Sequence, residues 1–98
     1  MENTHMKIVV EEMEKMFARR LREERQRAKI SQLELAMKSE LSQNLVNFIE
    51  TGKRIPNLHT VLKLCAALNI SPAILFNDSD EDKEIVKKEI VTLIQRYL

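Results

Sequence analysis

At 98 residues, with 44% apolar and 32% charged side chains, the chain is long enough for one small domain around a single core and too short for two. One cysteine, Cys65, excludes an internal disulfide framework, and no apolar run nears the roughly 20 residues that span a bilayer. The formal net charge of +1 is unevenly placed: from Lys15 to Arg54 ten Lys/Arg stand against five Asp/Glu, and the remainder, with its acidic run DSDEDKE, is net negative. Such segregation suits either a polyanion partner for the basic half or ordinary solvated helix faces. The acidic start MENTHMKIVVEEMEKM lacks the pattern of a secretory signal, so a reducing cytoplasm and no membrane association are expected.

Glycine occurs once and proline twice among many Leu, Glu, Lys, Arg and Ala, which predicts an all-α chain. A first helix runs from Glu11 or earlier to about Arg27, with Phe17, Leu21 and Ala28 on its inner stripe. A second is capped by Ser31, with Glu34 completing a capping box and Leu35 and Ala36 turned inward. Lys38, Ser39 and Glu40 make the turn to a third helix, capped by Ser42 and running from Gln43 to about Glu50. Residues 51–56 form a loop in which Gly52 takes the left-handed conformation. Asn57 caps a fourth helix with the stripe Leu58, Val61, Leu62, Cys65 and Leu68, closed by Asn69. Ser71-Pro72 opens a short fifth helix that delivers Leu75 and Phe76 to the core. Asp80 to Tyr97 reads as a further amphipathic helix with the seam Val86, Ile90, Leu93 and Tyr97.

The third helix has two opposed faces. At about 100° per residue, Leu45, Val46 and Ile49 gather on one side, and Gln43, Asn44, Asn47 and Phe48 on the other. The second side carries three carboxamides, one aromatic ring and no charge. A carboxamide offers a donor and an acceptor on one flat group, the pattern that pairs with the N6/N7 edge of adenine in the major groove, and Phe can touch a thymine methyl. Eight helical residues span about 12 Å, the width of that groove. The alternative is polar filler, with Phe48 packed on the C-terminal helix. Arg25 lies on the inner stripe of the first helix, where a charge is costly unless paired. Glu50, at the core-facing edge of the third helix, can pair with it; the other course is for Arg25 to snorkel to water.

The stretch LREERQRAKISQLELAMKSELSQNLVNFIETGKRIPNLHTVLKLCAALNISPAILF resembles the lambda-repressor-like helix-turn-helix family, also called the Cro/CI or XRE family. The correspondence runs through Arg25, Ser31-Gln32, Leu35-Ala36, Leu41-Ser42, Val46, Ile49-Glu50, Gly52, Pro56 and Ala67-Leu68. It implies a five-helix DNA-binding domain with helices two and three as the helix-turn-helix and helix three in the major groove. The implied base contacts are Gln43, Asn44, Asn47 and Phe48. The implied phosphate contacts are Gln32, Ser42, Lys53 and Arg54, with Gln32 also supporting Gln43, and with Leu45 and Asn57 as further backbone contacts. Arg25–Glu50 corresponds to a structural ion pair. Where many members place glycine, this chain has Lys29, Glu40 and Asn69, so those turns either adopt left-handed angles at a cost or are reshaped.

The expected organisation is an N-terminal extension over 1–16, the DNA-binding domain over 17–77, and a C-terminal helix over 78–98 that can serve dimerisation. Neither His5 nor His59 has a metal-ligand neighbour at the right spacing, so no metal or cofactor is expected, and Cys65 reads as a packing thiol. No glycine-rich phosphate loop or acid–base pair points to an enzyme. The cluster Met6, Val9, Val10, Met13 and Met16 and the C-terminal seam either pack on each other or form a twofold interface. The function expected is a transcriptional regulator binding double-stranded DNA as a homodimer on a palindromic operator, a class that includes phage repressors and restriction–modification controllers. The alternative is an antitoxin or other protein-binding module that holds a partner such as a toxin.

Overall fold

The computed structural model describes residues 4–76, 88, 91, 92 and 94–96. Over residues 4–76 five helices follow one another: α1 Thr4–Arg27, α2 Gln32–Ser39, α3 Gln43–Glu50, α4 Leu58–Leu68 and α5 Pro72–Leu75. Among the described residues there is no strand, and no helix is long and apolar enough to cross a membrane.

The helix starts are set by side chains that take up orphan amides. Ser31 Oγ accepts from Glu34 N at 3.0 Å while Glu34 Oε1 accepts from Ser31 N at 3.3 Å, a closed capping box. Ser42 Oγ accepts from Leu45 N at 3.1 Å, Asn57 Oδ1 from Thr60 N at 2.8 Å, and Ser71 Oγ from Ala73 N at 3.3 Å ahead of Pro72.

Three helix ends close through left-handed residues that are not glycine: Lys29 at φ 60°, Glu40 at φ 59° and Asn69 at φ 54°. In each case the next residue is aliphatic and its amide returns to a carbonyl five residues earlier. Ile30 N donates to Arg25 O at 3.4 Å, Leu41 N to Ala36 O at 2.9 Å and Ile70 N to Cys65 O at 3.0 Å. Ile30, Leu41 and Ile70 all pack on the core. The aliphatic anchor after the cap offsets the steric cost of the left-handed residue.

One core joins all five helices: Phe17 and Leu21 of α1, Leu35 and Ala36 of α2, Val46 and Ile49 of α3, Val61, Leu64 and Cys65 of α4, and Leu75 of α5. α2 packs on α3 and α4, and α1 on α3 and α5. Several expectations need correction. In α4 the buried stripe is Val61, Leu64 and Cys65; Leu58 is 71% exposed and Leu62 46%. At about 100° per residue Leu62 stands on the flank of a stripe centred on Val61 and Leu64, the residue that the periodic reading passed over. Ala28 lies in the turn after α1 and is exposed. Phe76 is 54% exposed, with one face stacked on Phe17 at a ring separation of 5.4 Å. Lys38 and Ser39 belong to α2, and Ser39 is buried, its hydroxyl donating to Leu35 O at 2.6 Å, so the turn begins only at Glu40, two residues later than expected.

α1 begins at Thr4 and runs unbroken through the boundary expected between an extension and the domain. Val9 and Met16 are buried, whereas Val10 and Met13 are exposed. Most of the expected C-terminal helix falls outside the described residues, but 88, 91, 92 and 94–96 are helical. Arg96 Nη1 donates to His5 Nε2 at 2.6 Å, linking that segment to the start of α1.

Glu40→Gly removes the Cβ from a left-handed residue whose position the Leu41 anchor holds. The steric relief outweighs the added freedom of the unfolded chain, and stability rises by about 0.5–1 kcal/mol. Urea unfolding checks this; an unchanged or lowered midpoint contradicts it.

Candidate nucleic-acid interface

The short helix α3 is held by one side and open on the other. Val46 and Ile49 are buried and Leu45 half-buried against the core. Gln43, Asn44 and Phe48 are exposed, and Asn47 is half-buried. The expected base-contacting residues thus share one accessible face, free of charge, opposite the buried side.

The starts of α2 and α3 lie next to this face. Ser42 is exposed, and because its oxygen accepts from Leu45 N its hydroxyl proton remains available to an external acceptor such as a phosphate. The free amides and positive dipole ends of two helix starts favour anions there. Beyond α3, Lys53 N and Arg54 N both donate to Phe48 O, at 2.9 and 3.1 Å, which folds the loop back on the helix end. Gly52 at φ 74° makes that turn; nothing lies within 4 Å of where its Cβ would stand, so backbone conformation rather than space calls for glycine. Lys53 and Arg54 are exposed, and among the described residues no carboxylate pairs with either. Leu45 and Asn57, the further backbone contacts of the resemblance, are half-buried and exposed respectively.

Beneath the face runs a polar chain. Arg25 Nε donates to Glu50 Oε2 at 2.7 Å and Nη2 to Glu50 Oε1 at 3.0 Å, a bidentate pair with side-chain exposures of 13% and 1%. Arg25 Nη1 also donates to Ile30 O at 2.9 Å, in the turn after α1. Gln32 Nε2 donates both to Glu50 Oε1 and to Asn47 Oδ1, each at 3.2 Å. Gln32 therefore meets Asn47 and Glu50, whereas the resemblance joined it to Gln43. Sequence reasoning missed this link and the bond to Ile30. It also missed Arg20 Nε donating to Ile74 O at 3.1 Å, which ties α5 to α1. The Glu23-Glu24 pair, expected on an exposed helix face, is split: Glu24 is buried and accepts from Arg27 Nη1 at 2.6 Å, a pair that the (i, i+3) spacing of opposite charges signals.

Burial pushes the Cys65 thiol up, which lowers its thiolate fraction and its reactivity. No three His, Cys, Asp or Glu side chains of the described residues come together as a metal site needs. Val86, Ile90, Leu93 and Tyr97, the expected interface seam, lie outside the described residues.

A helix-turn-helix family model matches residues 21–75, more than half of the chain. The chain belongs to the helix-turn-helix family. It is a DNA-binding regulator of transcription, not an enzyme. Among solved structures it is similar to the restriction-modification controller protein C.AhdI from Aeromonas hydrophila, with 43% identity and a TM-score of 0.61, over 62% of this chain and 92% of that one. The comparison with curated proteins found no match. In this helix-turn-helix protein the matched region begins at Leu21 and ends at Leu75, both fully buried, and holds every residue of the joint core except Phe17.

Arg25→Met leaves the Glu50 carboxylate buried without its counter-charge. It lowers unfolding stability by about 3–5 kcal/mol, whereas adding Glu50→Leu recovers much of the loss. Denaturant unfolding of the single and double variants tests the pair; equal stabilities of the native and Arg25→Met chains contradict it.

Proposed function

We propose that this helix-turn-helix protein reads a palindromic operator as a homodimer, with one α3 in the major groove of each half-site. The observation that carries the reading is the uncharged carboxamide face of α3, accessible opposite a buried aliphatic side. Gln43, Asn44, Asn47 and Phe48 contact base edges. Ser42, Lys53 and Arg54 contact phosphates, as does the start of α2 at Gln32. In this reading residues 17–77 are the DNA-binding unit, 1–16 extend α1, and 78–98 serve dimerisation in the cytoplasm.

Dimerisation is supported by two considerations. An eight-residue α3 reaches only a few base pairs, so useful affinity requires two copies. Exposed apolar side chains, including Val10 and Met13 on α1 and Leu58 and Leu62 on α4, supply surface for a self-contact. Recognition helices of a symmetric pair then meet half-sites centred about one helical turn, roughly 34 Å, apart. The similarity to a restriction-modification controller supports transcriptional control as the role.

Selection from random duplexes at about 0.15 M salt, with the mass of the complex measured alongside, tests the whole reading; a non-palindromic winner bound by one chain overturns the dimer. On the selected site Gln43→Ala loses about 1–3 kcal/mol of discrimination at a single base pair per half-site. Lys53→Ala instead weakens all duplexes alike and lowers the salt slope by about 1 per phosphate that is no longer neutralised. Unchanged base preference in Gln43→Ala removes that residue from the reading set.

A further inference from the structure

Two carboxamides take their direction from Glu50. Its carboxylate, shared bidentately with the Arg25 guanidinium, offers acceptors only. Gln32 therefore turns its nitrogen inward: one amide proton goes to Glu50 Oε1 and the other to Asn47 Oδ1, each at 3.2 Å. The second of these bonds decides which way Asn47 lies. Turned over, its amide sets nitrogen against the Gln32 nitrogen, two donors opposed at 3.2 Å with no acceptor between them. The ends of an amide are alike in shape, and the hydrogen bonding that leads back to the ion pair tells them apart.

The outward edge of Asn47 keeps both its functions. Its oxygen has two acceptor sites, of which Gln32 takes one. Its Nδ2 donates to nothing among the described residues and is open to solvent. Asn47 thus still offers an acceptor and a donor, and bidentate pairing with N6 and N7 of adenine stays available. What Gln32 fixes is the sense of that edge, with the acceptor toward α2 and the donor away from it.

We propose that Gln32 is a positioning residue that holds the Asn47 amide in one sense, so that Asn47 separates amino bases from keto bases. The inference rests on the DNA-reading role of α3 given above and deepens it. In the major groove adenine and guanine share N7 and differ at its neighbour, an N6 donor in one and an O6 acceptor in the other; cytosine and thymine differ likewise at N4 and O4. An amide free to turn over presents whichever end suits the base and separates the two poorly. An amide held one way meets one kind with a hydrogen bond and the other with like groups opposed. Both side-chain protons of Gln32 are committed inward, so a phosphate at the start of α2 is met by backbone amides.

On selected duplexes, Asn47→Ala first locates the base pair that Asn47 reads; no responding position overturns the proposal and leaves reading by Gln43 untouched. At that position Gln32→Met, which keeps the side chain's length and removes its amide, lowers the preference between amino and keto bases by about threefold or more, while the preferences set by Gln43 and Asn44 are kept. Unchanged or sharpened preference overturns the proposal. So does a uniform loss over all duplexes with the preference intact, which returns Gln32 to phosphate binding. A second arm repeats the substitution in an Asn47→Asp background. A carboxylate has two like ends and no sense to fix, so there Gln32→Met leaves the preference within about twofold of its starting value. A loss as large as in the native background means that Gln32 acts through general structure, and overturns the proposal. A third arm needs no operator. In the free native protein, nitrogen-edited NMR finds the Gln32 side-chain amide protons exchanging about tenfold or more slowly than those of exposed Asn44, and equal rates overturn the proposal. Failure of any duplex to be selected, with the Gln32 protons still protected, sinks the DNA-reading role and takes the proposal with it.

Discussion

The architecture hinges on one buried ion pair. Arg25 of α1 grips Glu50 at the end of α3 with two bonds and holds the Ile30 carbonyl with a third, while Glu50 in turn receives Gln32 of α2. Three helices and a turn are thus referenced to a single carboxylate. Taking two charges out of water costs about as much as their attraction returns, so the pair adds little net stability compared with an apolar replacement. What it does is fix geometry. An isolated helix of eight residues is marginal in water, and its angle to its neighbours comes entirely from tertiary contacts. Greasy packing at Val46 and Ile49 alone tolerates sliding; a bidentate guanidinium does not.

A similar division between tolerance and constraint governs the helix ends. Lys29, Glu40 and Asn69 occupy left-handed conformations without the freedom of glycine. Each is followed by Ile or Leu, whose burial and backbone bond hold the residue before it in place. Full burial of an aliphatic side chain contributes about 1.5–3 kcal/mol, and even the partial burial of Ile30, Leu41 and Ile70 returns a gain of the same order as the roughly 1–2 kcal/mol cost of a left-handed residue with a Cβ. The turn between α2 and α3 therefore keeps its shape although Glu40 stands where glycine is usual in the family it resembles. The angle at which α3 is presented is set by Leu41 rather than by the identity of the residue before it.

Much of this was legible in the residues because it is local. The caps at Ser31, Ser42, Asn57 and Ser71 depend on side chains within three positions, and all four make the bonds their types foreshadow. The two faces of α3 follow from a period of 3.6 and a clean split between aliphatic and amide side chains. Errors arose where periodicity was ambiguous. Helix α4 carries leucines on several sides, and a stripe through Leu58 and Leu62 reads almost as well as the true one through Leu64. The Gln32–Asn47 bond was illegible for a different reason. It joins residues 15 positions apart, and nothing in local spacing tells which carboxamide of several Gln32 meets. The family resemblance pointed instead to Gln43. The acceptor-only carboxylate of Glu50 is what draws Gln32 inward, and that constraint exists only after folding.

The placement of charge fits the same logic. The candidate reading face of α3 has none, and the exposed cations Lys53 and Arg54 sit in the loop beyond it, tethered to the helix end through Phe48 O. Phosphate attraction is indifferent to sequence, whereas amide contacts to base edges are not. A charged recognition helix raises affinity for every duplex alike. One carrying only amides and a ring adds discrimination with little nonspecific pull, and leaves electrostatic anchoring to a short adjacent loop. With a net charge of only +1 on the chain, nonspecific attraction stays modest. Selectivity then depends on how rigidly each amide is held, so a carboxamide pinned from behind is worth more to such a face than an additional lysine in front.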